Sequence, residues 1–93
     1  MKKITIKDFW NNDKKIAIHC NTEEKANELC KTLDKNGMSW LRGLGSDRYI
    51  DFNGWFRYQE RTCYSNAGGY GSINFYIEEE AKIYEFEDVD LGA

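Results

Sequence analysis

The stretch from Asn21 to Trp40 constrains the fold most, because it carries the signals of a single amphipathic helix. Gly37 can end that helix in the left-handed conformation, and Asn21 with Glu24 three residues later resembles a capping box. Apolar residues recur between them at the spacing that lines one side of a helix: Ala26, Leu29, Cys30 and Leu33. We predict a helix over about residues 22–36. Its single apolar stripe must be covered, so the rest of the chain is expected to supply a sheet.

Shorter segments are candidates for the strands of that sheet. The clearest is Lys15–Cys20, whose alternation places Ile16, Ile18 and Cys20 on one side and Ala17 and His19 on the other. Tyr49–Phe52 is rich in strand formers, and Asn53-Gly54 after it is a hairpin signal that predicts a returning strand over Trp55–Tyr58. Further strands are expected near residues 62–64 and 82–86.

The segment from Ser72 to Ile77 has two interpretations. Ser72 could cap a short helix with Ile73, Tyr76 and Ile77 on its inner side, or the segment could be a strand with Ile73, Phe75 and Ile77 inward. With either choice the sequence predicts a single α+β domain over residues 1–93. One amphipathic helix packs on a small, mostly antiparallel sheet of four to five strands, with a possible second short helix near 72–79.

The bulk composition indicates a folded protein. The chain has 93 residues, a hydrophobic content of 41% and a net charge of −3. It has neither an apolar run of membrane-spanning length nor a signal-peptide pattern, and its three cysteines are an odd number. These features predict reduced thiols, a cytoplasmic location and no membrane partner.

Negative charge is concentrated in one part of the chain, since residues 78–93 hold seven acids and one lysine. Such a segment is either a solvated face or a surface that attracts a basic protein groove. The arginine surplus of residues 36–77 is only one charge, which is too weak for general nucleic-acid binding. The acids expected to contact a partner are Glu78, Glu79, Glu80, Glu85, Glu87 and Asp88, with Trp55 and Tyr58 as aromatic anchors.

Arginines alternate with aromatic residues in the middle third of the chain, and this pattern suits a base and its phosphate. It supports an alternative hypothesis, a sponge for a small nucleotide signal, bound across a homodimer. The residues assigned to that site are Arg48, Arg57, Arg61, Tyr64 and Tyr70.

Catalytic and metal sites are weakly supported. His19 could act as a general base and defines a lesser alternative, a small enzyme. The cysteines lack the closely spaced pairs of a zinc site, so no metal and no cofactor is predicted. The glycine-rich stretch from Asn66 to Gly71 could approach a phosphate, although it matches no nucleotide-binding motif and an ordinary connection is favoured.

The order of motifs resembles small uncharacterised proteins of phages and prophages of Gram-positive bacteria. The resemblance rests on an F-W turn followed by KIAIHCNTEEKANELCKTLDKNGMSW, TCYSNAGGYGSINFY and KIYEFEDVDL. It implies an accessory protein, including the anti-CRISPR kind that inhibits host defence. The leading hypothesis is therefore a non-enzymatic protein that binds a component of a bacterial defence system, such as a CRISPR effector.

Overall fold

A computed structural model describes residues 3–38 and 54–92 of the chain. In that part of the chain, 3₁₀ turns span Gln59–Arg61 and Phe86–Asp88. The other elements are, in order, β1 (Ile4–Thr5), α1 (Ile6–Asn11), β2 (Ile16–His19), α2 (Glu23–Lys35), α3 (Trp55–Tyr58), β3 (Thr62–Ser65), β4 (Tyr70–Ser72), α4 (Ile73–Glu78), β5 (Lys82–Glu85) and β6 (Val89–Asp90).

The strands form a four-stranded sheet in the order β4-β3-β2-β5 and a two-stranded sheet of β1 and β6. In the larger sheet β2 pairs antiparallel with β3, and β3 pairs antiparallel with β4. The third pairing, between β2 and β5, is parallel and aligns Ile16 with Lys82. The predicted α+β class, with a small and mostly antiparallel sheet, is confirmed.

The amphipathic helix is confirmed as α2, with all four residues of the predicted stripe buried. Its cap is one residue later than predicted, because the hydroxyl of Thr22 accepts the Lys25 backbone N–H at 3.2 Å. The Asn21 side chain instead accepts a hydrogen bond from the Lys25 ammonium at 2.8 Å. At the other end Gly37 has φ +78°, and the Met38 N–H bonds to the Leu33 carbonyl.

Each side of the four-stranded sheet is covered by a different helix. We call the side toward α2 the α2 face, and its core includes Phe9, Ile16, Ile18 and Tyr64 together with the α2 stripe. We call the opposite side the α4 face, where Tyr76 packs against Ala17 and Cys63. The predicted alternation of β2 is therefore confirmed, with Ile16, Ile18 and Cys20 on the α2 face.

The strand expected at Trp55–Tyr58 and the inward position expected for Ile77 both need correction. Trp55–Tyr58 is a helical turn and not a strand, because Gly54 adopts φ +72° and its carbonyl accepts the Arg57 N–H at 3.1 Å. The helical spacing lets Trp55 pack on the core and Tyr58 meet Tyr70, which alternation along a strand would prevent. The strand expected before Gly54 lies outside the described residues.

The segment after Ser72 forms a helix, which is one of the two structures predicted for it. The Ser72 hydroxyl accepts the Phe75 N–H at 3.3 Å, so Ser72 is the predicted cap of α4. Tyr76 is buried as expected, but Ile77 is 58% exposed and not inward. A helix of six residues, four of them apolar, cannot turn all four toward one sheet.

Among the helices of residues 3–38 and 54–92, none combines the length and apolar character that a membrane crossing requires.

Candidate functional site

The six acidic residues assigned to a partner surface lie in two groups rather than one. Glu78, Glu79 and Glu80 surround the C-terminal end of α4, whereas the other three lie at the far end of β5 and in the turn after it. One acid of the first group, Glu79, bonds to Lys15 at 2.7 Å. In the second group Glu85 pairs with His19 and Glu87 with Lys25, both at 2.8 Å. Within the described residues Glu78, Glu80 and Asp88 form no ion pair.

The two predicted aromatic anchors make different contacts. Trp55 packs against the core of the α2 face, and the Tyr58 ring meets the Tyr70 ring edge-on at a centroid distance of 6.0 Å. Tyr70 belongs to β4, and β4 and β5 are at opposite edges of the sheet. The Tyr58 ring is therefore placed toward the β4 edge, whereas Glu85 lies on the β5 edge.

A different pair of apolar side chains lies beside the first acidic group. Phe75 and Ile77 of α4 are 50% and 58% exposed. Because Tyr76 between them points into the sheet, the 100° step per residue places Phe75 and Ile77 on the two flanks of the helix. Glu78 lies between those flanks on the outermost line, and Glu80 follows in the next turn. We call Phe75, Ile77, Glu78 and Glu80 the α4 patch.

Sequence reasoning missed the apolar half of the α4 patch, since both of its options placed Ile77 inward. A usable signal was present in the segment. Six residues with four apolar side chains and only one face against a sheet must leave some of the four in solvent. Phe56 is also exposed, at 64%, but it belongs to α3, and the Arg57 guanidinium lies over its ring at 5.8 Å.

Of the residues assigned to a nucleotide, Tyr64 and Tyr70 lie opposite each other in the pairing of β3 with β4. Tyr64 is fully buried, and its hydroxyl shares a hydrogen bond with the Cys30 thiol, so a ligand cannot reach it while the core is closed. Arg57 and Arg61 are exposed, and Tyr70 is half-buried. Arg48 lies outside the described residues.

His19 connects two segments of the α4 face. Its Nε2 donates a hydrogen bond to the Glu60 carbonyl at 2.7 Å, because a carbonyl oxygen can only accept. Its Nδ1 lies 2.8 Å from a carboxylate oxygen of Glu85. With both ring nitrogens engaged, His19 fastens the 3₁₀ turn at Gln59–Arg61 to β5, and action as a general base would require breaking one of these contacts.

All three cysteine thiols are buried. Loss of solvation on burial raises the pKa of Cys30 to about 12 and the pKa of Cys63 to about 12, and it raises the pKa of Cys20 further. The reactive thiolate is correspondingly disfavoured at neutral pH. Among the described residues no three His, Cys, Asp or Glu side chains come together as metal ligands.

The glycine-rich stretch is the hairpin connection between β3 and β4, closed by a hydrogen bond from the Ser65 N–H to the Gly69 carbonyl. The buried Asn66 side chain accepts the Ile16 N–H at 3.2 Å and donates to the carbonyls of Asn12 and Lys14. These bonds tie the connection to the segment before β2. The side chain that opens this stretch is thus committed to structure rather than to a phosphate.

Comparisons with protein-family models, with curated proteins and with solved structures find no match to this chain.

Proposed function

We propose that this protein acts by binding another protein through the α4 patch and catalyses no reaction. The observation that carries the proposal is the exposure of Phe75 and Ile77 on one short helix. Apolar surface left in water forgoes about 25 cal/mol per Å² of stabilisation, and grouped exposed apolar side chains commonly mark interaction sites.

The shape and charge of the α4 patch indicate what would bind it. Phe75 and Ile77 lie on the flanks of α4, so a groove that straddles the helix contacts both of them. Glu78, on the outermost line of α4, would face the floor of such a groove, and Glu80 is exposed just beyond the end of the helix. The complementary partner therefore has apolar walls and a basic floor.

Binding is favoured over catalysis because the groups best suited to chemistry are occupied or covered. Both nitrogens of His19 are bonded, and the three thiols are buried.

The biological setting in this proposal comes from the sequence resemblance to phage and prophage accessory proteins. We propose that the partner is a component of a bacterial defence system, such as a CRISPR effector, and that binding occurs in the cytoplasm of the host cell. A protein that guides or cuts nucleic acid has a basic groove, and this agrees with the acidic half of the α4 patch.

The test compares two variants that each remove exposed apolar surface. Immobilised wild-type protein, the double variant Phe75→Ser/Ile77→Ser and the control Phe56→Ser are incubated with host extract. The captured partner is then purified and titrated against each. We expect the double variant to lose at least about tenfold in affinity, because anchor side chains carry most of the energy of an interface. Phe56→Ser should bind as the wild type does, since Phe56 lies outside the α4 patch.

The charged half is tested with Glu78→Gln/Glu80→Gln. We expect slower association and a weaker dependence on salt, with little change in the dissociation rate. The proposal is wrong if the double serine variant binds the purified partner as tightly as the wild type. It is also wrong if a cyclic oligonucleotide or an ADP-ribose derivative alone raises the melting temperature by several degrees, which would favour the nucleotide sponge.

A further inference from the structure

A groove of about 710 Å³ runs along the outer edge of β5. All four residues of β5 line it, and the opposite wall is formed by Ile4 of β1 and by Asp8 and Asn11 of α1. Asp88, in the turn that follows β5, closes one side. The groove is thus open along the whole length of an edge strand.

The backbone of β5 presents unused hydrogen-bonding groups to this groove. The Lys82 N–H donates to the Lys15 carbonyl at 3.0 Å, so the peptide groups of Lys82 and Tyr84 face β2. Alternation along a strand then turns the N–H and C=O of Ile83 and the N–H of Glu85 away from β2 and toward the groove, while the Glu85 carbonyl begins the 3₁₀ turn at Phe86–Asp88. Within residues 3–38 and 54–92, β5 pairs with β2 alone. An edge of this kind is a template for another strand.

The charges that line the groove favour a basic occupant. Glu85 is paired with His19, and the Lys82 ammonium lies over the Tyr84 ring at 5.5 Å. In all, three carboxylates, those of Asp8, Glu85 and Asp88, line the groove with two amines, those of Lys3 and Lys82. Asp8 and Asp88 form no ion pair within the described residues.

We propose that this groove binds an extended basic segment of a partner polypeptide, which adds to the sheet as a strand beside β5. Main-chain hydrogen bonds to Ile83 and Glu85 would supply affinity, and Asp8 and Asp88 would select lysine or arginine. A strand advances about 3.3 Å per residue, so the four residues of β5 match about four residues of the segment. A second copy of this chain fits less well, since its own Asp8 and Asp88 would approach the same carboxylates.

This inference does not depend on the α4 patch, because it concerns a different element and a different kind of partner contact. Its first test is amide hydrogen exchange of the free protein. We expect the amides of Ile83 and Glu85 to exchange at least about tenfold faster than those of Lys82 and Tyr84, which are bonded to β2. Equal protection of all four amides in a monomer would overturn the proposal, since the edge would then be covered.

The second test uses a synthetic peptide of four lysine-valine repeats, blocked at both ends, with four glutamate-valine repeats as the control. The lysine peptide should slow exchange at Ile83 and Glu85 and shift their amide resonances, and the glutamate peptide should do neither. Protection elsewhere only, or no preference for the basic peptide, would overturn the proposal.

Two variants separate the backbone contribution from the charge contribution. Ile83→Pro removes an outward N–H, which an edge strand tolerates, together with the Ile83 side chain that packs on the α4 face, so Ile83→Ala is its control. Ile83→Pro should abolish binding of the lysine peptide, and Ile83→Ala should retain it. Asp8→Asn/Asp88→Asn leaves the backbone intact and should weaken binding severalfold. Phe75→Ser/Ile77→Ser should bind the lysine peptide normally, so failure of one proposal can be told from failure of the other.

The inference would be overturned if Ile83→Pro and Asp8→Asn/Asp88→Asn both bound the lysine peptide with the affinity of the wild type. Sedimentation that shows a dimer of the wild type that Ile83→Pro dissociates would also overturn it, because a second copy would then occupy the edge.

Discussion

The two faces of the four-stranded sheet differ in how much they bury. Among residues 3–38 and 54–92, the core of the α2 face contains twelve buried residues, with Phe9, Leu29, Leu33 and Tyr64 among the largest, whereas that of the α4 face contains three, Ala17, Cys63 and Tyr76. Burial of large side chains is the main favourable term in folding. The α2 face therefore supplies most of the stability.

The thin core of the α4 face explains why α4 can expose apolar groups. Ala17 and Cys63 are small, so one ring, that of Tyr76, fills the space above them. On the flanks of α4, Phe75 lies beside Gly71 of β4 and is still half exposed, and Ile77 is 58% exposed. The α2 face thus holds the fold together, whereas the α4 face carries the exposed residues of the α4 patch.

The largest expected effect is a loss of folding stability at high pH, caused by thiols that are buried on both faces of the sheet. The thiols of Cys20 and Cys30 lie on the α2 face and that of Cys63 on the α4 face, and burial raises the pKa of all three. Above about pH 9 the unfolded thiols lose their protons while the folded ones keep them, so stability falls as pH rises. We expect the three thiols together to lower the free energy of unfolding by about 4 kcal/mol between pH 7 and pH 10.

Urea unfolding at pH 7, 8, 9 and 10 measures this loss. Cys63→Ala should remove about one third of the thiol contribution to this loss and Cys20→Ala/Cys30→Ala about two thirds, whatever their effect on stability at pH 7. A stability that is constant from pH 8 to pH 10 would show that the thiols are not buried in the folded state.

The next effect compares one aliphatic side chain from each helix. Leu29→Ala should lower the free energy of unfolding by about 3 kcal/mol, because Leu29 is fully buried on the α2 face and its loss leaves a cavity. Ile77→Ala should change it by less than about 0.5 kcal/mol, since Ile77 is largely exposed. Equal losses in urea unfolding would mean that α4 contributes to the core as much as α2 does.

The smallest effect concerns a polar atom on the α2 face. The Thr62 side chain is fully buried, and its hydroxyl has no hydrogen-bond partner among the described residues. Thr62→Val keeps the shape and removes the cost of burying that hydroxyl, so we expect a gain of about 1 kcal/mol in thermal or urea unfolding. Thr62→Ser, which keeps the hydroxyl and loses a methyl group, should be destabilising, and a stabilising serine would refute this explanation.

Local signals made part of the fold predictable. Periodic apolar residues between a capping residue and Gly37 were sufficient to place α2, although two adjacent capping residues, Asn21 and Thr22, left its start uncertain by one position. Strict alternation was sufficient to assign the two sides of β2. Both features depend on neighbours in sequence, which a single sequence records.

Other features depend on contacts that the sequence does not record. Asn53-Gly54 favours a hairpin, yet packing of Trp55 on the core and of Tyr58 on Tyr70 produces a helical turn. The parallel pairing of β2 with β5 joins distant segments without a local signal. The groove beside β5 is a consequence of that pairing and could not be foreseen.

The candidate site was predictable only in its acidic half. The glutamates at the end of α4 are apparent from composition, and the structure places all three in solvent. Their neighbours Phe75 and Ile77 were not identified, because the sequence does not reveal that the sheet beneath α4 is lined by residues as small as Ala17 and Cys63.

The pairing of β1 with β6 has a mechanical consequence. Ile4 lies opposite Val89 and Thr5 opposite Asp90, in parallel orientation. A pulling force applied before residue 4 and after residue 90 acts along the strands and loads both residue pairs at the same time, in shear. Stretching along this line should therefore meet more resistance than peeling β4 from β3, where antiparallel pairs next to a tight connection open one after another.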